Sequence, residues 1–184
     1  ADRFVQVVTA ARDRFGAVHG IFHAAGTTSG AGIGPVTGLD RDACEAQFRP
    51  KVEGLYAVER AAAAVSPDFC ALTSSLSAIL GGLGFGAYAA ANRFMDAFAE
   101  ARAHEPVRWV SIDFDGWNFA AAGGKSALTE LAMTAPEGVR SLECIIGCQT
   151  ANRVAVSTGS LDVRLDRYVR RARAAAAPAA ETLS

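Results

Sequence analysis

Apolar residues recur every three to four positions through residues 4–15, which predicts a helix stopped by Gly16. The pattern then becomes a nearly continuous apolar run over residues 18–25, as expected of a short buried strand. Residues 27–37 contain Gly30, Gly32, Gly34 and Pro35 and read as a loop. Asp40 or Asp42 can cap a long helix reaching Ala64, and Pro50 inside it predicts a kink just before Lys51. Further strands are expected at residues 69–73, 107–113 and 153–157. A glycine-rich loop at 81–86 precedes a helix over 87–104. Residues 118–126 are rich in Ala and Gly and read as a mobile segment. Two short helices are expected near 127–133 and 136–147, with Pro136 suited to the first turn of the second. Residues 161–173 suggest a terminal helix. Four strands alternating with helices imply an α/β fold, a parallel sheet with helices on both faces.

The chain has 184 residues, enough for one domain with a core, and is 51% hydrophobic and 20% charged, the balance of a soluble globular protein. Residues 1–173 read as that domain, and the Ala/Pro-rich residues 174–184 as a tail or interdomain linker. A net charge of -1 gives no reason to expect nucleic acid or an anionic membrane as partner. No apolar run approaches the ~20 residues of a membrane span, and no signal peptide opens the chain, so the cytoplasm is the expected location. Cys44, Cys70, Cys144 and Cys148 are scattered. Cys144 and Cys148 have i,i+4 spacing, but no His or third Cys clusters with them, so they read as ordinary thiols and no metal site is expected.

Candidate chemistry concentrates in one stretch. Tyr88 and Asn92 lie four residues apart, on one side of the expected helix, with Ser75 before them and Lys51 further upstream. A free phenol ionises near pH 10, so a phenol that donates a proton needs a cation to ease its ionisation. It also needs a hydroxyl beside it to hold the carbonyl oxygen. Lys51 and Ser75 are of those types, and Asn92 adds an amide that can order water. Taken singly, each has a plainer reading as a packing tyrosine, a turn-forming serine or a surface lysine. The glycine runs at 81–86 and 30–34 lack the Gly-x-Gly-x-x-Gly spacing of a dinucleotide turn and are weak candidates for cradling phosphate.

The spacing of Ser75 to Tyr88 and the Tyr88-x-x-x-Asn92 step resemble the ketoreductase domain of modular polyketide synthases, within the short-chain dehydrogenase/reductase superfamily. Most of the superfamily carries Tyr-x-x-x-Lys. The synthase ketoreductases have Asn there and take the lysine from the preceding helix, as Lys51 would supply it here. The resemblance runs from His23-Ala24-Ala25-Gly26 to residues 154–159. It implies a Rossmann-like sheet whose first βαβ cofactor-binding portion is missing from this chain. It also implies NADPH-dependent reduction of a ketoacyl thioester, with Tyr88 as proton donor, Ser75 polarising the carbonyl, Lys51 supporting the phenol and Asn92 holding a water. Ala24, Ala25 and Gly26 would line the cofactor, Gly26 by admitting a close approach of backbone. Trp117 would border substrate and nicotinamide, and residues 118–133 would form a mobile lid. His23 reads as a hydrogen-bonded structural histidine. The implied partners are an acyl carrier protein bearing the substrate on phosphopantetheine, other synthase domains, and an upstream half supplying the glycine motif.

Two departures leave the substrate open. The Leu-Asp-Asp motif of one stereochemical class is replaced by Thr27-Thr28-Ser29-Gly30, and the Trp and Gln of the opposite class by Leu80 and Phe85. The missing aspartate leans toward the A-type class, and both β-keto and α-keto thioesters stay possible. The alternatives are a catalytically inactive module bracing neighbouring synthase domains, which the absent glycine motif favours, and a free-standing dehydrogenase, which Asn92 disfavours.

Overall fold

The computed structural model describes residues 2–28, 30, 32–118, 131–148 and 150–170. Helix α1 (Asp2–Phe15) ends at Gly16, whose φ of +88° suits a residue without a Cβ. Strand β1 (Gly20–His23) follows. The long second helix is divided into three parts. Asp40 accepts a hydrogen bond from the Ala43 amide at 2.8 Å and starts α2 (Arg41–Phe48). Pro50 has no amide hydrogen for the helical ladder, and Arg49–Glu53 widens into a π-helical turn, in which the Gly54 amide reaches the Arg49 carbonyl five residues back. Helix α3 (Gly54–Val65) then resumes the ordinary ladder. The irregularity expected at Pro50 is therefore a π-bulge, and it falls on Lys51.

Strand β2 (Phe69–Ser75), the single turn α4 (Ser77–Leu80), helix α5 (Gly86–Ala101) and strand β3 (Arg108–Phe114) come next. They are followed by β4 (Trp117–Asn118), β5 (Met133–Thr134), α6 (Ala135–Gly147), β6 (Arg153–Val156) and α7 (Leu161–Leu165), which runs into a π turn over Asp166–Arg170. A capping box in which Thr134 and Glu137 bond reciprocally starts α6, with Pro136 in its first turn.

The main sheet has the order β1-β2-β3-β6 and every pair is parallel, in registers such as Gly20↔Phe69, Phe69↔Arg108 and Ser111↔Arg153. Side chains alternate between two covered faces, so the strands are largely apolar, with Ser74, Ser111 and Asp113 as buried polar exceptions. Cys70, Leu72 and Trp109 pack against α3 and α5 through Leu55, Val58, Met95 and Phe98, with Val5 and Val8 of α1 at the margin. Ala71, Val110, Ile112 and Phe114 meet Ile145 of α6 and Met133 on the other face. Helices thus cover both faces, as the α/β reading requires. β1 is an edge strand, and its Phe22 stacks edge-on against Phe69 while remaining 52% exposed.

Two expectations are corrected. The helix placed near 127–133 does not include Met133, which is buried in β5 and pairs with Trp117. Asn118, placed at the start of a mobile segment, belongs to β4. The β4–β5 pair was not foreseen, because two-residue strands carry no periodic signal. The rest of the 118–126 segment, most of the 127–133 helix, the last residues of the terminal helix and the 174–184 tail lie outside the described residues. The four cysteines are free thiols, with Cys70 buried and Cys144 and Cys148 exposed. Among the described residues, no helix is long and apolar enough to cross a membrane.

One glycine gives a direct test of the packing between sheet and α6. A Cβ at position 138 would overlap the Trp117 indole, which rests edge-on against Phe114 with ring centroids 5.2 Å apart. Gly138→Ala is therefore expected to destabilise the protein by about 1–3 kcal/mol through overpacking. A chemical-denaturation midpoint equal to that of the wild type would mean that the indole is free to step aside.

Candidate active site

The π turn, the end of β2 and the first turns of α5 converge on Lys51. The turn directs this side chain inward, where it is only 4% exposed, and its ammonium donates to the Thr73 carbonyl at 3.1 Å. The same ammonium lies 5.6 Å from the centre of the Tyr88 ring. Burial lowers its pKa from 10.5 to about 8, against the opposing pull of the Asp96 charge. Three features make room for this arrangement. The Lys51 carbonyl pairs with His23 Nε2 at 3.0 Å, so His23 anchors the turn from β1. Gly54 leaves space for that imidazole, since a Cβ there would stand 2.8 Å from His23 Cε1. A Cβ on Gly26 would stand 3.0 Å from Lys51 Cε and 3.2 Å from Nζ. Gly26 therefore has a reason to be glycine within the chain itself, namely clearance for the lysine.

Tyr88 sits in the first turns of α5, half-buried, with Phe85 stacked edge-on at 5.7 Å. One turn on, Asn92 is fully buried and its amide donates to the Tyr88 carbonyl at 2.8 Å. Its Oδ1 is also buried and has no hydrogen-bond partner among the described residues. Ser75 closes β2, and its hydroxyl accepts from the Ser77 amide at 3.2 Å, which starts α4. Ser74 reaches the Asn92 carbonyl at 3.4 Å and ties β2 to α5. Lys51, Ser75, Tyr88 and Asn92 are thus gathered around the C-terminal end of β2, the edge where open parallel sheets carry their ligands.

A charged layer lies beneath them. Asp96, one more turn along the face that carries Tyr88 and Asn92, is fully buried and accepts from Ser111 Oγ at 2.8 Å. Arg153 of β6 bridges Asp96 at 3.1 Å and Asp113 at 2.8 Å. Burial, then the Asp96 charge, pushes the Asp113 carboxyl up to about 6, opposed by hydrogen bonds from Ser74 and Arg153 and by the Arg153 charge.

The remaining predicted residues flank this cluster. Ala24, Ala25 and Gly26 are exposed just past β1, and Ala25 borders an open cavity of about 590 Å³ that Arg49, Pro50 and Tyr56 also line. Trp117 begins β4, its ring seated over Gly138 and Phe114 on the α6 side. The two glycine runs meet each other: the Gly34 amide donates to the Gly84 carbonyl at 2.9 Å, which joins both loops into one wall beside Tyr88.

Residues 1–118 match the protein family described as KR domain. The chain belongs to the ketoreductase domain family. This ketoreductase chain is 36% identical over 162 residues to a phenolphthiocerol/phthiocerol polyketide synthase of Mycobacterium tuberculosis, an alignment covering 83% of the chain and 8% of that protein. It is 30% identical over 151 residues to a mycocerosic acid synthase-like polyketide synthase of Mycolicibacterium smegmatis, covering 79% of the chain and 7% of the relative. Among solved structures it superposes on an N-terminal ketoreductase from the macrolactin assembly line with a TM-score of 0.72 at 28% identity, covering 89% of the chain and 33% of that structure. It superposes on the first ketoreductase of the tylosin synthase with a TM-score of 0.73 at 26% identity, covering 96% and 41%. The chain therefore spans less than a tenth of the curated relatives and less than half of these solved ketoreductases. Its α/β architecture is that of the family, whose members are oxidoreductases binding a nicotinamide cofactor.

The charged layer under the candidate site was not foreseen from the sequence. Asp96 carried a signal, since it repeats the four-residue step from Tyr88 to Asn92. Asp113 carried another, as a carboxylate between Ile112 and Phe114 in a buried strand. Arg153 carried none, because its partners lie on other elements.

Proposed function

We propose that this chain provides the proton-donating half of an NADPH-dependent ketoreductase acting on a β-ketoacyl or α-ketoacyl thioester carried by the phosphopantetheine of an acyl carrier protein. The observation that carries this reading is the buried Lys51 ammonium beside Tyr88. Burying a cation with one carbonyl as its hydrogen-bond partner among the described residues is costly, and apolar packing would serve the fold better. The arrangement has a purpose if negative charge develops on the phenolic oxygen next to it.

In this reading Ser75 donates a hydrogen bond to the substrate carbonyl and polarises it. Tyr88 transfers its hydroxyl proton to the carbonyl oxygen, and Lys51 stabilises the phenolate that remains. Asn92 braces the turn that carries Tyr88, and its unpartnered Oδ1 suits a water that returns a proton to the phenolate. Small exposed residues at Ala24, Ala25 and Gly26, beside the open cavity and the Lys51 turn, fit a nicotinamide cofactor held along this edge, with Trp117 as the wall toward β4. A reduced nicotinamide, when bound, supplies the hydride. The open edge of β1 and the half-exposed Phe22 support pairing with a further strand there, from a polypeptide bearing the glycine-rich turn, within a multidomain synthase.

The test is the consumption of NADPH by the chain, alone and within a synthase module, on β-keto and α-keto thioesters, with the hydroxyacyl product identified by mass. Product formation with NADPH preferred over NADH is the expected result. Cofactor binding without product from either ketone in either setting would leave an inactive bracing module as the function.

A further inference from the structure

Asp115 and Arg164 lie apart from the Lys51 cluster, and the proton chemistry makes no use of them. Asp115 directly follows β3 and is only 8% exposed. Its carboxylate is held in a fork by Arg164, with Nη1 at 2.5 Å from Oδ2 and Nη2 at 3.1 Å from Oδ1. Thr158 adds its amide at 3.2 Å and its hydroxyl at 3.0 Å, and the Gly116 amide approaches Oδ1 at 3.2 Å. Arg164 Nη1 also donates to Ser157 Oγ at 2.9 Å, and Thr158 Oγ1 lies 2.6 Å from the Leu131 carbonyl. Burial alone would push the Asp115 carboxyl up, but the hydrogen bonds from Arg164 and Thr158 and the Arg164 charge hold it below the usual range, so the carboxylate stays ionised near neutrality.

One carboxylate therefore pins α7, the segment after β6 and the segment after β3. Immediately beyond it, the Gly116 carbonyl accepts from the Met133 amide at 2.6 Å, and Trp117 opens β4. A buried ion pair is weak evidence for stability, because its desolvation offsets most of its attraction. A two-pronged fork does fix direction, and a point charge such as a lysine ammonium cannot reproduce it. The backbone it fixes is the one that aims Trp117.

We propose that the Arg164 to Asp115 fork is a positioning clamp for the Trp117 wall of the ketone site, governing how substrate is seated rather than proton transfer. The inference rests on the reading of Trp117 as a border of the substrate. Arg164→Lys keeps the charge and removes the fork. It is expected to raise KM for the ketoacyl thioester about tenfold with kcat within about threefold, the signature of lost ground-state placement. Trp109 is 2% exposed, so quenching of tryptophan fluorescence by acrylamide reports on Trp117, and it should increase in the variant while the melting temperature holds. Unchanged KM and unchanged quenching would overturn the clamp. So would losses of kcat and melting temperature in parallel, which describe a structural role only. If Arg164→Lys does not fold, the neutral pair Asp115→Asn with Arg164→Gln takes its place under the same criteria. Should the wild-type chain reduce no ketone, the functional reading fails on its own, and the quenching of Trp117 decides the clamp.

Discussion

Tyr88→Phe is expected to lower ketone reduction by about a thousandfold while nicotinamide affinity stays within about twofold, since a positioned general acid contributes roughly 10²–10⁴ in rate. The substitution removes one oxygen and leaves the ring, its edge-on contact with Phe85 and its place beside the Lys51 ammonium. The hydroxyl has no hydrogen-bond partner among the described residues, so its loss orphans no internal group and the fold should be unaffected. Steady-state kinetics with cofactor titration separate the cases. Loss in kcat with cofactor affinity retained assigns the proton to Tyr88. Turnover within tenfold of the wild type would assign it elsewhere and remove the main support for the proposed chemistry. Loss of cofactor binding instead would make Tyr88 a binding residue.

How much of this was legible in the chain differs by kind of signal. The four strands of the main sheet and their helices followed from periodicity, because burial on both faces leaves short apolar stretches such as residues 69–72 of β2. The bulge at Pro50 followed from the missing amide hydrogen, although its π-helical form did not. Local spacing showed Tyr88 and Asn92 on one face of α5. Proximity of Lys51 to Tyr88 was implied by family resemblance alone, since 37 residues separate them and only the tertiary fold brings them together. The purpose of Gly26 was hidden for the same reason: the side chain it clears belongs to another element. Asp96, Asp113, Arg153, Asp115 and Arg164 are the larger omission. Asp96 and Asp113 left only a faint local trace, Arg153, Asp115 and Arg164 would be ordinary surface charges in a one-dimensional reading, and each takes its meaning from partners on other strands and helices. Burial of charge is a property of the assembled layers, and local pattern barely announces it.

Lys51→Met is expected to move activity and stability in opposite directions. Activity depends on the ammonium. It is the one cation placed against the Tyr88 ring among the described residues, and a methionine of similar length fills its space without charge. Reduction at pH 7 should fall about a hundredfold, within the range of acid–base contributions. The wild-type rate should lose the support of the ammonium as pH rises through about 8, where Lys51 deprotonates in the folded protein. The variant should lack that limb. Stability moves the other way. A cation whose folded pKa lies below its unfolded value of 10.5 binds fewer protons when folded, so it lowers stability fully below pH 8, and the loss is recovered between about 8 and 10.5. At pH 7 the methionine variant should therefore be more stable by up to roughly 3 kcal/mol, and that advantage should shrink as pH approaches 10. Denaturant melts at pH 7 and pH 10, run beside the pH–rate profile, test both halves. A variant that is both less stable and less active at pH 7 would make Lys51 a structural lysine. A gain in stability with a loss in rate would identify it as a charge kept at the expense of the fold for the sake of the phenol.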